Sequence, residues 1–477
     1  MNASGTGAPG RRGSTVVIVI WAVAIASIVV AATQVLSWRQ ATQGKEALAR
    51  VQARWAARAG VETMIAIMEY HAENPDPDDA FSLVRDMEDH AIGETDTGEY
   101  DIRHFFDGRE YAGPMDEHGK LNVNLATRTQ LVNLPYMTPD TADAIVDWRD
   151  ANDEVEGMGA ESDYYANRGM KYRPRNADFR SIAELELVAG VWPEYLRGED
   201  WNLNGRLDPN ENDGKVSAPE DKPDDILDAG WSGYLTALSR GTHTAPSGQP
   251  KLYLRNATAD EIVERLGVDQ QQATALINYA KNPTAKLETL LLAPLSSLGS
   301  ATTGGGSSGG STGGATGGQS SGSRGSSGRS SGGRNSGGAS SAQGSGTKPL
   351  DTPQLRAVLQ EASLDDPAKP APGRLNLNTA SADVLKKALG LDPKTADAIV
   401  QRRNAKPEGL TSLVDLLDIP AVKPETIAAI AGLVDVQSSV YSISSRGRAR
   451  GTGTEVDLFV VVDRSTNPVT ILEVREP

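Results

Sequence analysis

Apolar and polar residues follow four distinct regimes along this chain. From Thr15 to Leu36 the run "TVVIVIWAVAIASIVVAATQVL" carries no charge, and as a helix it is long enough to cross a bilayer core of about 30 Å. The next stretch, "ALARVQARWAARAGVETMIAIMEYHAE", repeats at helical spacing, with Leu48, Val51, Trp55 and Ala59 on one side. One long helix, half in membrane and half out, is the simplest reading. "EYDIRHFF" (Glu99 to Phe106) alternates weakly and predicts a strand. "VYSIS", "EVDLFVVVDR" and "VTILEVRE" predict three more at the far end, the last pair joined around Asn467 and Pro468. Between these two sets the spacing is almost all helical, until residues 299–347, which are nearly all Gly and Ser.

The helical block contains a repeat. The segment "GKLNVNLATRTQLVNLPYMTPDTADAIVDWR" from Gly119 recurs 131 positions later, with Lys120 on Lys251, Leu131 on Ile262 and Ala142 on Ala273. At 254 positions Asn122, Asn124, Pro139, Thr141, Asp143 and Arg149 recur as Asn376, Asn378, Pro393, Thr395, Asp397 and Arg403. Each copy reads as helix, hairpin, helix: Asn124 or Thr127 can cap the first helix, Leu131 and Leu134 give it an apolar edge, and Ala142, Ile145 and Val146 face back from the second. A unit this short must pack on a neighbour. Strands from both sides of the block imply an α+β fold in which the block is inserted into a small antiparallel sheet domain. A separate C-terminal β-hairpin domain is the alternative.

Charge limits the partners. The chain has 477 residues and a formal net charge of −16, which gives no electrostatic case for a polyanion. Helix-hairpin-helix units that grip DNA cradle a phosphate on a Gly-hydrophobic-Gly turn. Here the turns read "LPYMTPDT", "LGVDQQQA" and "LGLDPKTA", with one glycine at most and an aspartate where the phosphate would sit. These features argue against nucleic acid, although the third copy is mildly basic. With no cysteine there is no disulfide or thiolate site, and the five histidines lack metalloprotease spacing. Nothing points to an enzyme. The Gly/Ser tract cannot bury enough apolar surface to offset chain entropy, so it reads as a disordered tether spanning about 40 Å.

The N-terminus resembles those of type IV pilins and type II secretion pseudopilins. Arg11 and Arg12 match the basic leader, Gly13 the glycine before the prepilin peptidase cut, and Ser14 the new N-terminus. Ile18 stands where most pilins carry a glutamate. A cleaved secretory signal is the competing reading of the same residues. The ordered series "DEHGKLNVNLATRTQLVNL", "AIVDWRD", "GAESDYY" and "FRSIAELELVAGV" is similar to the minor pseudopilin K family over roughly residues 10–200 and 370–477. The usual larger apolar residue is replaced by Ser14, and the middle repeat and Gly/Ser tract are extra. The resemblance implies a structural subunit at the pseudopilus tip, with sibling minor pseudopilins and prepilin peptidase as partners. It also implies a single-pass inner-membrane anchor, a cytoplasmic N-terminus and a periplasmic bulk.

The sharpest chemical signal is "DWNLNGRLDPNE". Asp200, Asn202, Asn204, Asp208 and Glu211 supply side-chain oxygens at positions 1, 3, 5, 9 and 12 of a calcium loop, Arg206 its carbonyl at 7, Gly205 the turn at 6 and Leu207 an apolar anchor. Two asparagines reduce the ligand charge and point to a weak site, about 10⁻⁴ to 10⁻³ M. An ion-free Asx turn is the bland alternative. A second acidic group, Asp150, Asp153, Glu154, Glu156, Glu161 and Asp163, can hold another ion or be a solvated loop. The K family is known to bind calcium, which agrees with the loop.

The expected layout is therefore a leader at 1–13, a transmembrane and spine helix at 14–75, and a pilin-like sheet domain from 76–118 and 436–477. The insert with copy 1 and the calcium loop occupies 119–230, copy 2 231–298, a linker 299–347 and copy 3 348–435. The expected function is a minor pseudopilin at the tip of the type II secretion pseudopilus, with Ca2+ as cofactor. The alternatives are a membrane-anchored DNA receptor for uptake, in which the same repeats touch DNA, and a calcium-dependent surface adhesin.

Overall fold

The computed structural model describes residues 13–76, 79–217, 220–298, 347–367, 369 and 371–476. Arg11, Arg12 and nearly all of the Gly/Ser tract lie outside them. Helix α1 runs Gly13–Glu73 without a break. Its first half is exposed all round, with Val16, Ile20, Ile28 and Leu36 each more than half accessible, as an apolar helix without lipid must be. One helix among the described residues has the length and apolarity to cross a membrane. In its second half Ala49, Ala53, Ala56, Ala57, Gly60, Val61, Met64 and Met68 form a buried stripe at spacings of three and four, so the same helix is an exposed apolar rod, compatible with a membrane anchor, and then a spine.

After a short helix α2 (Ser82–Asp89) the chain forms β1 (Ile92–Glu94), β2 (Gly98–Phe106), β3 (Arg109–Ala112) and β4 (Met115–Asp116). The helical block then intervenes, before β strands resume near residue 440. Each of its three repeats is closed by a two-residue parallel pair that joins its beginning to its end. β5 (Leu121–Asn122) pairs with β6 (Leu235–Thr236), β7 (Leu252–Tyr253) with β8 (Ala362–Ser363), and β9 (Leu375–Asn376) with β10 (Val434–Asp435). The hairpin helices are α3 (Arg128–Val132) with α4 (Pro139–Arg149), α5 (Ala259–Leu266) with α6 (Gln270–Ala280), and α7 (Ala382–Lys387) with α8 (Pro393–Asn404).

These closures correct the expected boundaries. Residues 231–249 complete the first repeat through β6, and residues 348–369 complete the second through β8, so neither belongs to the copy that follows. The chain divides into one compact unit of residues 1–249 and 370–477 and another of 250–369. The middle unit has its own core of Leu254, Ile262, Leu266, Ala273, Leu276, Leu290 and Val358. The Gly/Ser tract leaves and re-enters this one unit; it does not link two copies.

Thr127 caps α3 through a box with Gln130. Asn124 instead ties two segments together: its amide donates to the Phe179 carbonyl (3.1 Å) and its oxygen accepts from the Phe179 N–H (2.8 Å). Asn378 clamps Leu410 in the same way. Arg149 donates to the Val123 and Ala126 carbonyls, and Arg403 to those of Leu377 and Ala380. The recurring Asn and Arg are thus structural fasteners, absent from the middle unit, where Arg255 and Ala280 stand in their places.

The sheet resumes with β11 (Val440–Ala449), β12 (Glu455–Asp463) and β13 (Thr470–Arg475). Its order is β1-β2-β11-β12-β13, antiparallel throughout, with β3 on β2 and β4 on β11. β2 pairs with β11 from the other side of the insert, so the insertion is a property of the fold and the separate hairpin domain is excluded. α1 lies across this sheet at closest approach over β11, where a Cβ on Gly447 would collide with the Ala53 carbonyl. Ala57, Val61, Met64, Met68, Ile102, Ile443 and Val460 fill the interface.

Candidate functional site

α1 begins at Gly13, the residue before the expected cut, while Arg11 and Arg12 lie outside the described residues and the side chain of Ser14 is not described. Ile18 is 65% exposed on the membrane half of α1, free to face a neighbouring helix.

The hairpin tips show where a phosphate would have to bind. Asp269 caps α6 and accepts from the Gln272 N–H (2.8 Å); Asp392 caps α8 and accepts from the Thr395 N–H (3.1 Å). In copy 1 Thr138 and Pro139 start α4, with Tyr136 in the left-handed region before them (φ 60°). The N–H groups that would receive an anion in copies 2 and 3 are already used by the chain's own carboxylates. Cations nearby are also paired, Arg128 with Asp143, Lys386 with Asp397 (2.7 Å) and Lys387 with Asp383 (2.9 Å).

The tightest acidic centre is one the sequence located in part. Asp147 and Asp150 stand three residues apart at the C-terminal end of α4, and Glu161 reaches them from the loop 11 residues on. Ligand oxygens of all three lie within 4.8 Å of one another. Asp147 and Glu161 are buried, and Asp147 Oδ2, Asp150 Oδ2 and both Glu161 oxygens have no hydrogen-bond partner. Two acids at the negative end of a helix, with orphaned oxygens and no ion pair among the described residues, form an unfavourable arrangement unless an ion neutralises it. Burial first, and neighbouring carboxylates second, push Asp147 up to about 6 and Glu161 up to about 7. The donor set is hard oxygen only, which suits calcium or magnesium. Asp153, Glu154, Glu156 and Asp163 are exposed and outside the group. Asp147 was missed as a ligand because it looked like one more helix charge; its three-residue spacing from Asp150 was the available signal.

The loop Asp200–Glu211 follows a short helix, Pro193–Arg197, and ends in a single turn, Pro209–Glu211, so it lacks two full flanking helices. Its ligand residues nonetheless turn inward. Asp200, Asn204, Arg206, Asp208 and Glu211 are all buried, and Gly205 makes the left-handed turn at φ 68°. Asp200 accepts from the N–H groups of Asn204 and Gly205 (both 3.0 Å), and Glu211 from those of Trp201 and Asp208 (both 3.1 Å). Asn202 and Asn204 both donate their amides to Asp208 Oδ2. Burial pushes Asp200 up to about 6 and Glu211 up to about 8. The residues fit a cation loop: hard oxygens, a tight glycine turn and two acids held at a desolvation cost. Leu203 is the buried apolar residue of the loop, and Leu207, the expected anchor, is only half buried.

The loop is fastened to the sheet. Arg206 donates to the Asp101 carbonyl and carboxylate (2.9 Å each), Phe105 N–H to the Gly205 carbonyl (2.6 Å), Arg475 to the carbonyls of Asn202 and Leu203, and Arg446 to Asp208 Oδ1 (2.5 Å).

Residues 119–198, which hold the first hairpin (α3 and α4) and the acidic centre, match the family model for type II secretion system (T2SS), protein K, and residues 372–435 match that for the helix-hairpin-helix motif. Among solved structures the chain is similar to one in the crystal structure of the GspK-GspI-GspJ complex from the enterotoxigenic Escherichia coli type 2 secretion system. That similarity has 12% identity and a TM-score of 0.43, and it covers 91% of this chain and 99% of that one. No curated protein matches the chain.

Proposed function

We propose that this chain, a type II secretion minor pseudopilin of the K type by its protein K domain, works at the tip of the pseudopilus as a structural subunit for export of folded proteins. The observation that carries the reading is the placement of that domain. It lies inside an antiparallel sheet packed on a helix whose first half is apolar and exposed. In this reading α1 docks laterally among sibling minor pseudopilins, the bulk is periplasmic, and the insert stops further subunits stacking above. Prepilin peptidase cuts between Gly13 and Ser14, and the apolar Ile18 leaves no glutamate to be neutralised by a following subunit's amine.

Calcium belongs to the same proposal. Asp147, Asp150 and Glu161 would hold one ion, and Asp200, Asn202, Asn204, Asp208 and Glu211 with the Arg206 carbonyl another. The ions would supply positive charge to buried acids and so stiffen the insert. Mass spectrometry of the mature N-terminus tests the core of the reading: a free or methylated Ser14 is expected, and an intact Met1 or a cut beyond residue 30 would remove it. The helix-hairpin-helix match favours a DNA receptor as the second reading. Gel shifts across a salt series separate the two, since an uptake receptor requires sub-micromolar, steeply salt-dependent binding and self-capped hairpins predict none.

A further inference from the structure

Arg446 on β11 hydrogen-bonds two carboxylates, with a third, Glu455 on β12, at 3.9 Å. Its Nε and Nη2 hold Asp457 on β12 (both 2.7 Å), and the same Nη2 holds Asp208 Oδ1 of the 200–211 loop (2.5 Å). The guanidinium is four-fifths buried and Asp208 is buried, so solvent screens the pair poorly. Asp208 occupies position 9 of the loop, and its other oxygen already receives two amide protons, from Asn202 and Asn204. Every positive group on Asp208 is therefore one that a cation in the loop would face at close range.

We infer that Arg446 sets the loop's cation affinity: a calcium ion and this arginine compete for Asp208, so metal binding and the loop's grip on β11 are linked with opposite sign. The inference rests on the calcium reading above. Arg206 and Arg475 touch backbone carbonyls, Asp101 and Glu473, and Arg475 and Lys120 act on Asp200 only through space, so among the described residues Arg446 is the cation in direct contact with a loop carboxylate. Linkage is reciprocal, so whatever affinity the arginine costs the ion, the ion costs the arginine. Asp457 is the balancing weight. While it binds Arg446 the arginine's charge is divided between Asp457 and Asp208; without it, with Glu455 at 3.9 Å as the remaining acid outside the loop, Arg446 leans more on Asp208.

The test is calorimetric titration of Ca2+ into the full chain in detergent, with Glu161→Gln as background to silence the other centre and Glu211→Gln added to assign the heat to the loop. Arg446→Gln should tighten binding by about five- to fiftyfold, the range of ordinary site coupling. Arg446→Lys, which keeps the charge, should stay within about threefold of the parent. Asp457→Asn should weaken binding. Opposite shifts from two neutralising changes in one ion triad cannot arise from general loosening. Unchanged affinity in Arg446→Gln, or shifts of the same sign in both variants, overturns the inference and leaves the calcium reading intact. No saturable uptake that Glu211→Gln removes overturns both.

Discussion

Stripped of divalent ions, this protein should gain stability on mild acidification. Glu161 has a folded value near 7 and Glu211 near 8, both above the ordinary 4.5. A carboxyl whose folded value is raised destabilises the fold while ionised. That penalty is complete above the folded value, is relieved as pH falls through it, and is gone below the unfolded value. Between pH 8 and 6.5, proton linkage at 1.36 kcal/mol per tenfold change gives about 0.8 kcal/mol for Glu161 and about 1.6 kcal/mol for Glu211, roughly 2 kcal/mol together. Asp147 and Asp200, near 6, add the same sign at lower pH. His104, buried and pushed down to about 4, opposes the trend once unfolded histidine charges near 6.5, which sets the lower edge of the window. At about 2–4 °C per kcal/mol for domains of this size, the chelated chain should melt about 4–8 °C higher at pH 6.5 than at pH 8. Saturating calcium should flatten that slope and raise the pH 8 midpoint, by about 2.7 kcal/mol at a hundredfold excess over Kd. Glu161→Gln should stabilise the chelated protein at pH 8 by about 1–3 kcal/mol and remove part of the calcium gain. The assay is scanning calorimetry of the full chain with chelator or calcium. A chelated midpoint that falls from pH 8 to 6.5, or a Glu161→Gln protein less stable than the parent under chelation at pH 8, would refute the reasoning.

Three further outcomes are expected. Gly447→Ala should lower the melting midpoint sharply, by about 2 kcal/mol or more, because its Cβ falls on the Ala53 carbonyl and must push α1 off β11; a neutral effect would mean that the helix does not cross there. Arg403→Met leaves the Leu377 and Ala380 carbonyls without their donor and should cost about 1–3 kcal/mol, read by denaturant melts, with Arg149→Met behaving alike in the first repeat. Ile18→Glu places a carboxylate on the exposed apolar half of α1 and should alter pseudopilus assembly; an unaltered length distribution counts against the capping account.

The outline of the fold was written in the periodicity. The charge-free run and the helical spacing after it gave α1, but the side expected to pack, Leu48, Val51 and Trp55, is exposed, because the small side chains of Ala49, Ala53, Ala56 and Ala57 let the helix lie close on the sheet. Alternation located β2, β12 and β13 to within a few residues. β11 was expected as "VYSIS" but runs to Ala449, because Ser445, Arg446 and Gly447 are a close helix crossing and an ion pair, which no hydropathy pattern displays. The strand pairs that close each repeat are two residues long and carry no alternation, so the middle unit's end beyond the Gly/Ser tract was not legible. The candidate loop at 200–211 was visible because its oxygen-bearing residues all fall within one twelve-residue stretch. The tighter group of Asp147, Asp150 and Glu161 was half visible, since its geometry depends on how the chain folds back after α4.

The middle unit holds both ends of the Gly/Ser tract, at Leu298 and Thr347, and β7 zipped to β8 keeps them in one body. A protease that nicked the tract would therefore produce two bands on a denaturing gel and yet a single particle in solution, since no limb of the subunit hangs from it. The same position is a natural port for grafting a reporter or an affinity tag of almost any length, carried as a pendant while everything on either side keeps its place.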